Sequence, residues 1–241
     1  MISWLNELEA ATSIAKSQYL SAGLSLTEVE NLLGKVLYPQ AVPHEMADLT
    51  VNSKTGAVLF WSPLRKYLVL PPFPIREEYS AQGCAVELLR SLLRRDFRIA
   101  LVLVRLGAYA IGVCDGENLI NSKVGTGLVH GRHKKGGSSQ QRFRRHREKQ
   151  IDYFLDRVCC HVQEQLGPHV QTLDYLVYGG ARTTIISLQK RCPSLQWFDS
   201  LMLPPLLDIA QPRKAVLESA VSRVWSSRVI ELHDDEISSE S

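Results

Sequence analysis

A glycine-rich basic segment contains the residue types in this chain that are best suited to chemistry. Gly136 and Gly137 stand side by side, and Gln140 follows them after two serines. Paired glycines let a backbone reach positive φ and approach another backbone closely. A helix that begins near Ser139 would point its free N–H groups at an anion. These residues therefore predict a loop that can approach and hold a phosphate.

Basic residues flank this loop on both sides. They are Arg132, His133, Lys134 and Lys135 before the glycines and Arg142, Arg144, Arg145 and Lys149 after them. Residues 130–150 carry a formal charge of +7, whereas the rest of the chain carries −4. A positive patch on a mildly acidic body favours a polyanionic partner such as RNA, with an affinity that falls as the salt concentration rises.

The residues alone leave three interpretations of this charge run open. It is a solvated helix face, an RNA-binding surface without chemistry, or a catalytic loop together with its RNA contacts. The almost uniform sign of the charge, next to glycines, favours RNA over a solvated face. Phe143 within the run can either stack on a base or anchor the helix in the core.

Other motifs with known chemistry are absent from the sequence or incomplete. It has no phosphate-binding G-x-x-x-x-G-K-[ST] loop and no G-x-S-x-G nucleophile elbow. His130 and His133 have the spacing of metal ligands but no neighbouring carboxylate or thiol, so we expect neither a metal nor a cofactor. The five cysteines form no C-x-x-C pair, which predicts reduced thiols, with Cys159 and Cys160 buried as small apolar residues.

Apolar patterns and turn signals predict the elements around the loop. Three strands at 98–106, 108–114 and 118–124 form an antiparallel meander before it, and a helix at 140–166 follows it. Later elements are strands at 173–178, 196–203 and 228–232 and helices at 181–190 and 212–225. Strands that alternate with helices after a meander favour an α/β fold, a mixed sheet with flanking helices.

The first part of the chain has a different pattern. A helix is predicted over the first twenty residues, and further helices at about 25–36 and at 84–95; strands are predicted at 47–51, 57–61 and 66–70. We therefore expect a smaller α+β subdomain at 1–95, an α/β domain at 96–233 and a disordered acidic tail at 234–241. No run of about 18 apolar residues and no signal-peptide pattern occurs, so we expect a cytoplasmic protein without membrane contact.

The loop also resembles a known catalytic loop. The glycine pair, with the serines, glutamines and arginines that follow it, resembles the loop of the Vms1-like release factors, the VLRF1 family, whose pattern is Gly-x-x-Gln. Gly137 and Gln140 match this pattern, and Gln141 does not. The resemblance covers about 97–232 and implies a fold like the central domain of the eukaryotic and archaeal release factor. The chain is more similar to the shorter bacterial members, since the zinc-finger and ankyrin segments of eukaryotic members are not visible in it.

This resemblance implies an activity and partners. Family members act on peptidyl-tRNA stranded on the large ribosomal subunit, and they free the nascent chain by hydrolysing the ester or by cutting the tRNA near its 3′ end. The expected protein is thus a peptidyl-tRNA hydrolase of ribosome rescue, a monomer whose partners are peptidyl-tRNA and large-subunit RNA. Gln140 is the expected catalytic residue, and Gly136 and Gly137 are expected to shape the loop.

The chemistry of glutamine is compatible with hydrolysis of the ester. Its amide does not titrate near neutral pH, so it is a poor general base, but it donates and accepts hydrogen bonds at once. It can therefore hold a water beside an ester while loop N–H groups stabilise the oxyanion. In tRNA cleavage a ribose 2′-OH would attack, and Arg132, His133 or Lys134 would stabilise the phosphate. The residues do not decide between the two reactions.

Overall fold

The chain divides into two compact units, Met1–Arg95 with Trp225–Ser241 and Asp96–Val224. The computed structural model describes residues 1–10, 14–38, 40–62, 65–131 and 139–232, except for the side chains of Ser139 and Gln140. The predicted tail at 234–241 lies outside these ranges. In chain order the elements are α1 (Ile2–Ala10), β1 (Lys16–Leu20), α2 (Leu26–Leu37), α3 (His44–Asn52), β2 (Ala57–Trp61), β3 (Lys66–Leu70), β4 (Tyr79–Gln82), α4 (Glu87–Arg94), β5 (Arg98–Arg105), β6 (Ala108–Asp115), β7 (Asn118–Thr126), α5 (Ser139–Leu166), β8 (Tyr175–Gly180), α6 (Arg182–Arg191), α7 (Lys214–Val224) and β9 (Arg228–Leu232).

The first unit is an antiparallel sheet covered by helices on both faces. Its strand order is β4-β1-β2-β3-β9. Side chains alternate between the two faces along each strand. Phe60 therefore packs in one core with residues of α1 and α4, whereas its neighbour Leu59 packs in the other with residues of α2 and α3.

Three predictions for this unit were wrong. The first helix ends at Ala10, because residues 16–20 form strand β1 between β2 and β4. Residues 47–51 belong to helix α3, where Met46, Ala47 and Thr50 are buried at helical spacing against the sheet. The last strand, β9, was assigned to the second domain, but it pairs with β3 of the first unit. That long-range pairing has no local signal in the sequence.

The second unit is the predicted α/β arrangement. Its sheet has the order β7-β6-β5-β8, in which β5, β6 and β7 form the predicted antiparallel meander and β8 runs parallel to β5. Residues of α5 and α6 share one core with the sheet, including Val102, Phe154 and Leu188. Helix α7 packs on the opposite face, where Leu217 reaches Gly112 of β6. The predicted mixed sheet with flanking helices is thus confirmed.

The segment after α6 was also predicted wrongly. Residues 196–203 were expected to form a strand, but a 3₁₀ helix spans Pro193–Leu201. Ser194, Leu195 and Phe198 are buried in it at spacings of one and three residues, which fits a 3₁₀ helix and not a strand. Beyond it, Met202 and Leu207 form isolated bridges, to Leu176 and Gly179 of β8.

Two cysteines join α5 to the end of α6. Cys159 and Cys192 form a disulfide whose Cα atoms are 5.3 Å apart. The prediction of reduced thiols was therefore wrong for this pair. Burial was predicted correctly for Cys159, whereas the adjacent Cys160 is exposed. The difference arises because successive helical residues lie about 100° apart, and only Cys159 faces the core.

A charged cluster also holds α5 against α6. Arg191 donates from Nε and Nη2 to the two carboxylate oxygens of Asp156, at 2.6 and 3.0 Å, and from Nη1 to Asp152 at 2.9 Å. The guanidinium hydrogen bonds lower the pKa of the Asp156 carboxyl. Arg191 thereby holds Asp152 and Asp156 on the side of α5 that faces α6. Neither carboxylate lines the groove along the first half of α5.

Replacing Arg191 with alanine is expected to lower the free energy of unfolding by about 0.5–1 kcal/mol at neutral pH, because the pair is half exposed and screened by solvent. The pKa of Asp156 is lowered in the folded state, so its contribution is present above the ordinary value of 3.8 and is lost as the pH falls below it. Urea unfolding at neutral and acidic pH measures both. Lys190→Ala, on the same helix, is the matched control, and an equal loss in both variants would contradict the prediction.

Candidate nucleic-acid interface

A groove of about 830 Å³ runs along the first half of α5 in the second unit. One wall is the short segment that leaves β7, and the other wall is one face of α5. The lining residues are Gly127, Leu128, Gln141, Arg142, Arg145, His146, Lys149, Gln150, Tyr153, Phe154 and Arg157. The helical members are adjacent pairs that recur every four residues, with Arg157 continuing the series, so they share a single face.

The charges of α5 are segregated between its faces. Arg142, Arg145, Lys149 and Arg157 line the groove, and none of its described lining residues is acidic. Among the acidic residues of this stretch, Glu148 lies 3.3 Å from Arg144, and Arg191 binds the other two as described above. The described lining of the groove therefore carries positive charges and no negative charge.

The first wall approaches α5 closely because a glycine stands at the contact. A Cβ atom on Gly127 would lie 2.6 Å from Cδ2 of Phe154, which is closer than packed atoms allow. Arg157 donates a hydrogen bond to the carbonyl of Thr126 and joins the same wall to the helix. Beneath them Phe154 is buried beside Tyr109, whose burial raises the pKa of its phenol. The floor at Phe154 is thus apolar.

A hydrogen-bonded clamp closes the base of the glycine-rich loop. The N–H of His130 donates to Oε1 of Gln150 at 3.2 Å, and Nε of Arg147 donates to the His130 carbonyl at 2.9 Å. Nε2 of Gln150 also lies 2.8 Å from Nδ1 of His130. Residue 130 stands just before the loop and α5 begins at Ser139 just after it. The clamp therefore fixes one end of the loop against the helix that forms its other end.

Replacing Gln150 with alanine is expected to speed hydrogen exchange of the His130 amide about 3- to 10-fold, because that N–H loses its acceptor. Amide exchange followed by NMR measures the change. Gln163→Ala is the matched control, since Gln163 is an exposed glutamine further along the same helix. Unchanged exchange in Gln150→Ala would mean that the clamp does not hold His130.

Only some of the predicted site residues lie in the groove. Arg142, Arg145 and Lys149 lie together in the groove, as the helical spacing predicted. Arg144 points elsewhere and pairs with Glu148. The following predicted residues lie outside the described ranges: Arg132, His133, Lys134, Lys135, Gly136 and Gly137.

Gln140 is described by its backbone only. It is the second residue of α5, which confirms the predicted start of the helix near Ser139. Phe143 is 57% exposed, so the alternative in which it anchors the helix in the core is wrong. The role of Gln140 stays a prediction.

Several groove residues were not predicted from the sequence. Tyr153 is 72% exposed and Leu128 is 74% exposed, and both line the groove. Tyr153 and Arg157 continue the spacing of Lys149 by steps of four, a signal that the sequence contains. Leu128 had no such signal, because its place depends on how closely the wall approaches α5.

The described part of the chain contains neither a membrane-spanning helix nor a cluster of metal-ligating side chains. No helix there has the length and apolar character needed to cross a bilayer. No three side chains of His, Cys, Asp or Glu there lie close enough together to share a metal ion.

Comparison with known proteins identifies relatives. A family model described as the Actinobacteria/chloroflexi VLRF1 release factor matches residues 97–230. Peptide chain release factor subunit 1 of Aeropyrum pernix is 26% identical over 179 residues, which are 64% of this chain and 48% of that protein. The chain thus spans about half the length of this relative.

Solved structures with partial similarity include the archaeal translation termination factor aRF1, with 18% identity, a TM-score of 0.42 and coverage of 92% of this chain and 68% of that one. The Vms1 mitochondrial localization core has 13% identity, a TM-score of 0.45 and coverage of 88% and 97%. Because the family model spans more than half of its residues, the chain belongs to the Actinobacteria/chloroflexi VLRF1 release factor family.

Proposed function

We propose that this protein releases nascent peptide from peptidyl-tRNA on stalled large ribosomal subunits. The observation that carries the proposal is the family match over 97–230, which includes both the Gly-x-x-Gln loop and the groove-lining half of α5. Its relative from Aeropyrum pernix is a peptide chain release factor. The proposed partners are peptidyl-tRNA and large-subunit RNA, and we propose that a monomer acts in the cytoplasm.

The position of Gln140 supports a catalytic role for it. Gln140 is the second residue of α5, and the first four N–H groups of a helix have no partner within it. Its backbone N–H therefore belongs to the positive end of the helix dipole. A developing oxyanion beside this end would be stabilised, while the side-chain amide holds the attacking water. The ester bond breaks, the peptide takes the hydroxyl of the water, and the ribose oxygen takes its proton.

The groove supplies the binding energy in this proposal. Arg142, Arg145 and Lys149 begin two residues after Gln140 and continue along the same helix. They would bind phosphates of the RNA and so position the ester at the loop. The clamp at His130 would limit the positions open to the loop. Both features support a site in which the ribosome contributes the remaining contacts.

The test uses large ribosomal subunits that carry peptidyl-tRNA with separate labels on peptide and tRNA. Wild type is expected to free the peptide and to leave the tRNA intact at nucleotide resolution. A tRNA shortened near its 3′ end would instead mean nuclease action. Binding without release, by wild type and Gln140→Ala alike, would mean a ribosome-binding module without chemistry.

A further inference from the structure

We propose that the groove binds an unpaired RNA strand, with one base stacked on Tyr153 and the neighbouring phosphates bound by Arg142, Arg145 and Lys149. This inference deepens the proposed function and rests on it for the presence of RNA at this face. The groove is proposed to accept unpaired RNA in preference to a duplex, and Tyr153 is the side chain that distinguishes the two.

The groove carries a row of positive charges along α5. Three basic side chains, Arg142, Arg145 and Lys149, follow one another at steps of three and four residues along one wall. Such steps are about 4.5–6 Å along a helix axis. A row of cations at this spacing suits successive phosphates of one strand. Among the lining residues that the structure describes, no acidic side chain opposes them.

The same groove also contains apolar surface. Tyr153 stands one helical turn beyond Lys149 and is 72% exposed, and Leu128 on the opposite wall is 74% exposed. Large apolar side chains exposed inside a charged groove need a ligand that is itself partly apolar and flat. The face of a nucleic-acid base meets this need, and stacking on an aromatic ring is tolerant of sequence.

A duplex would use only one of these two features of the groove. In an A-form helix the bases stack on one another and show only their edges and the 2′-hydroxyls. A duplex would therefore reach the three cations but would leave Tyr153 without a base. A peptide made only of Asp and Glu would satisfy the charges and would also leave the ring unused. The combination of the two features selects an unpaired strand.

The distance along α5 between Gln140 and Tyr153 sets how many nucleotides of the bound strand lie between them. Thirteen residues separate it from Gln140, which is about 20 Å along a helix axis. At a rise of about 3.4 Å per stacked nucleotide this distance corresponds to about six nucleotides, and to fewer when the strand is extended. The stacked base is thus not the reacting nucleotide. It lies several nucleotides away and would align the strand with the loop.

The test compares binding of one RNA in two forms. An eight-nucleotide single strand with a central 2-aminopurine and its duplex are titrated with the full protein by fluorescence anisotropy. Wild type is expected to bind the single strand more tightly and to quench the 2-aminopurine. Tyr153→Ala should weaken single-strand binding about 5- to 100-fold and abolish the quenching, with duplex binding unchanged. Tyr153→Phe, which keeps the ring, should restore both within about twofold.

Tyr38→Ala is the matched control, because Tyr38 is a 78% exposed tyrosine in the other unit. Equal affinity and quenching in Tyr153→Ala and wild type would overturn the proposal, and so would tighter binding of the duplex. These outcomes leave the release assay untouched, since Gln140→Ala tests the chemistry on loaded subunits. Conversely, a wild-type protein that neither prefers the single strand nor quenches the 2-aminopurine, but releases peptide normally from loaded subunits, would overturn the groove proposal and keep the proposed function.

Discussion

Replacing Gln140 with alanine is expected to lower the rate constant of peptide release by about 10²- to 10³-fold, the usual effect of losing a hydrogen-bonding group that acts on the transition state. The affinity for loaded large subunits should stay within about twofold. The reason is that the cations proposed to bind RNA line the groove along α5 and remain in the variant. Single-turnover release at saturating protein measures the first quantity, and pelleting with the subunits measures the second.

A second variant at the same position separates two possible roles of the side chain. Gln140→Glu keeps the length and one acceptor but removes the amide donor and adds a carboxylate. If the amide positions a water by donating and accepting together, this variant should be as slow as Gln140→Ala above the pKa of the new carboxyl, where the ionised group only accepts. A rate that recovers as the carboxylate ionises would indicate general-base chemistry instead.

The control for this pair is Gln163→Ala, which removes an exposed amide from the same helix at a distance from the loop. It should release peptide at the wild-type rate. Full activity of Gln140→Ala would contradict the catalytic role. The binding measurement would then decide whether the protein is a ribosome-binding module.

Local patterns predicted the elements that position the site. The strands β5, β6 and β7 have apolar runs separated by turn residues, and α5 has a long run without glycine or proline, so each was predicted within about two residues. Residues 47–51 misled the prediction because β-branched and apolar residues also fit a helix when their burial lies on one side, as it does for Met46, Ala47 and Thr50.

The groove itself was only half predictable. The stripe of Arg142, Arg145 and Lys149 follows from helical geometry, and the structure places these residues together. The opposite wall does not, because it depends on Gly127 lying against Phe154, two residues 27 positions apart in sequence. The clamp between His130 and Gln150 is of the same kind. Long-range contacts of this sort have no periodic signal in a single sequence.

Removing the three groove cations is expected to have the second large effect. The variant Arg142→Ala with Arg145→Ala and Lys149→Ala should bind single-stranded RNA about 100-fold more weakly near physiological salt. Each lost phosphate contact no longer releases a counterion, so the slope of log K against log salt should fall by about 2 for a single strand and by about 3 for a duplex. Titrations between about 0.05 and 0.3 M salt measure both quantities.

A matched variant removes the same number of charges from the other unit, at three exposed positions: Lys35→Ala, Lys54→Ala and Arg94→Ala. The net charge of the two variants is then equal, and only its location differs. If both lose affinity alike, the effect is that of overall charge and the groove is not the RNA site. A loss confined to the groove variant, with a slope change near 2, would place an unpaired strand along α5.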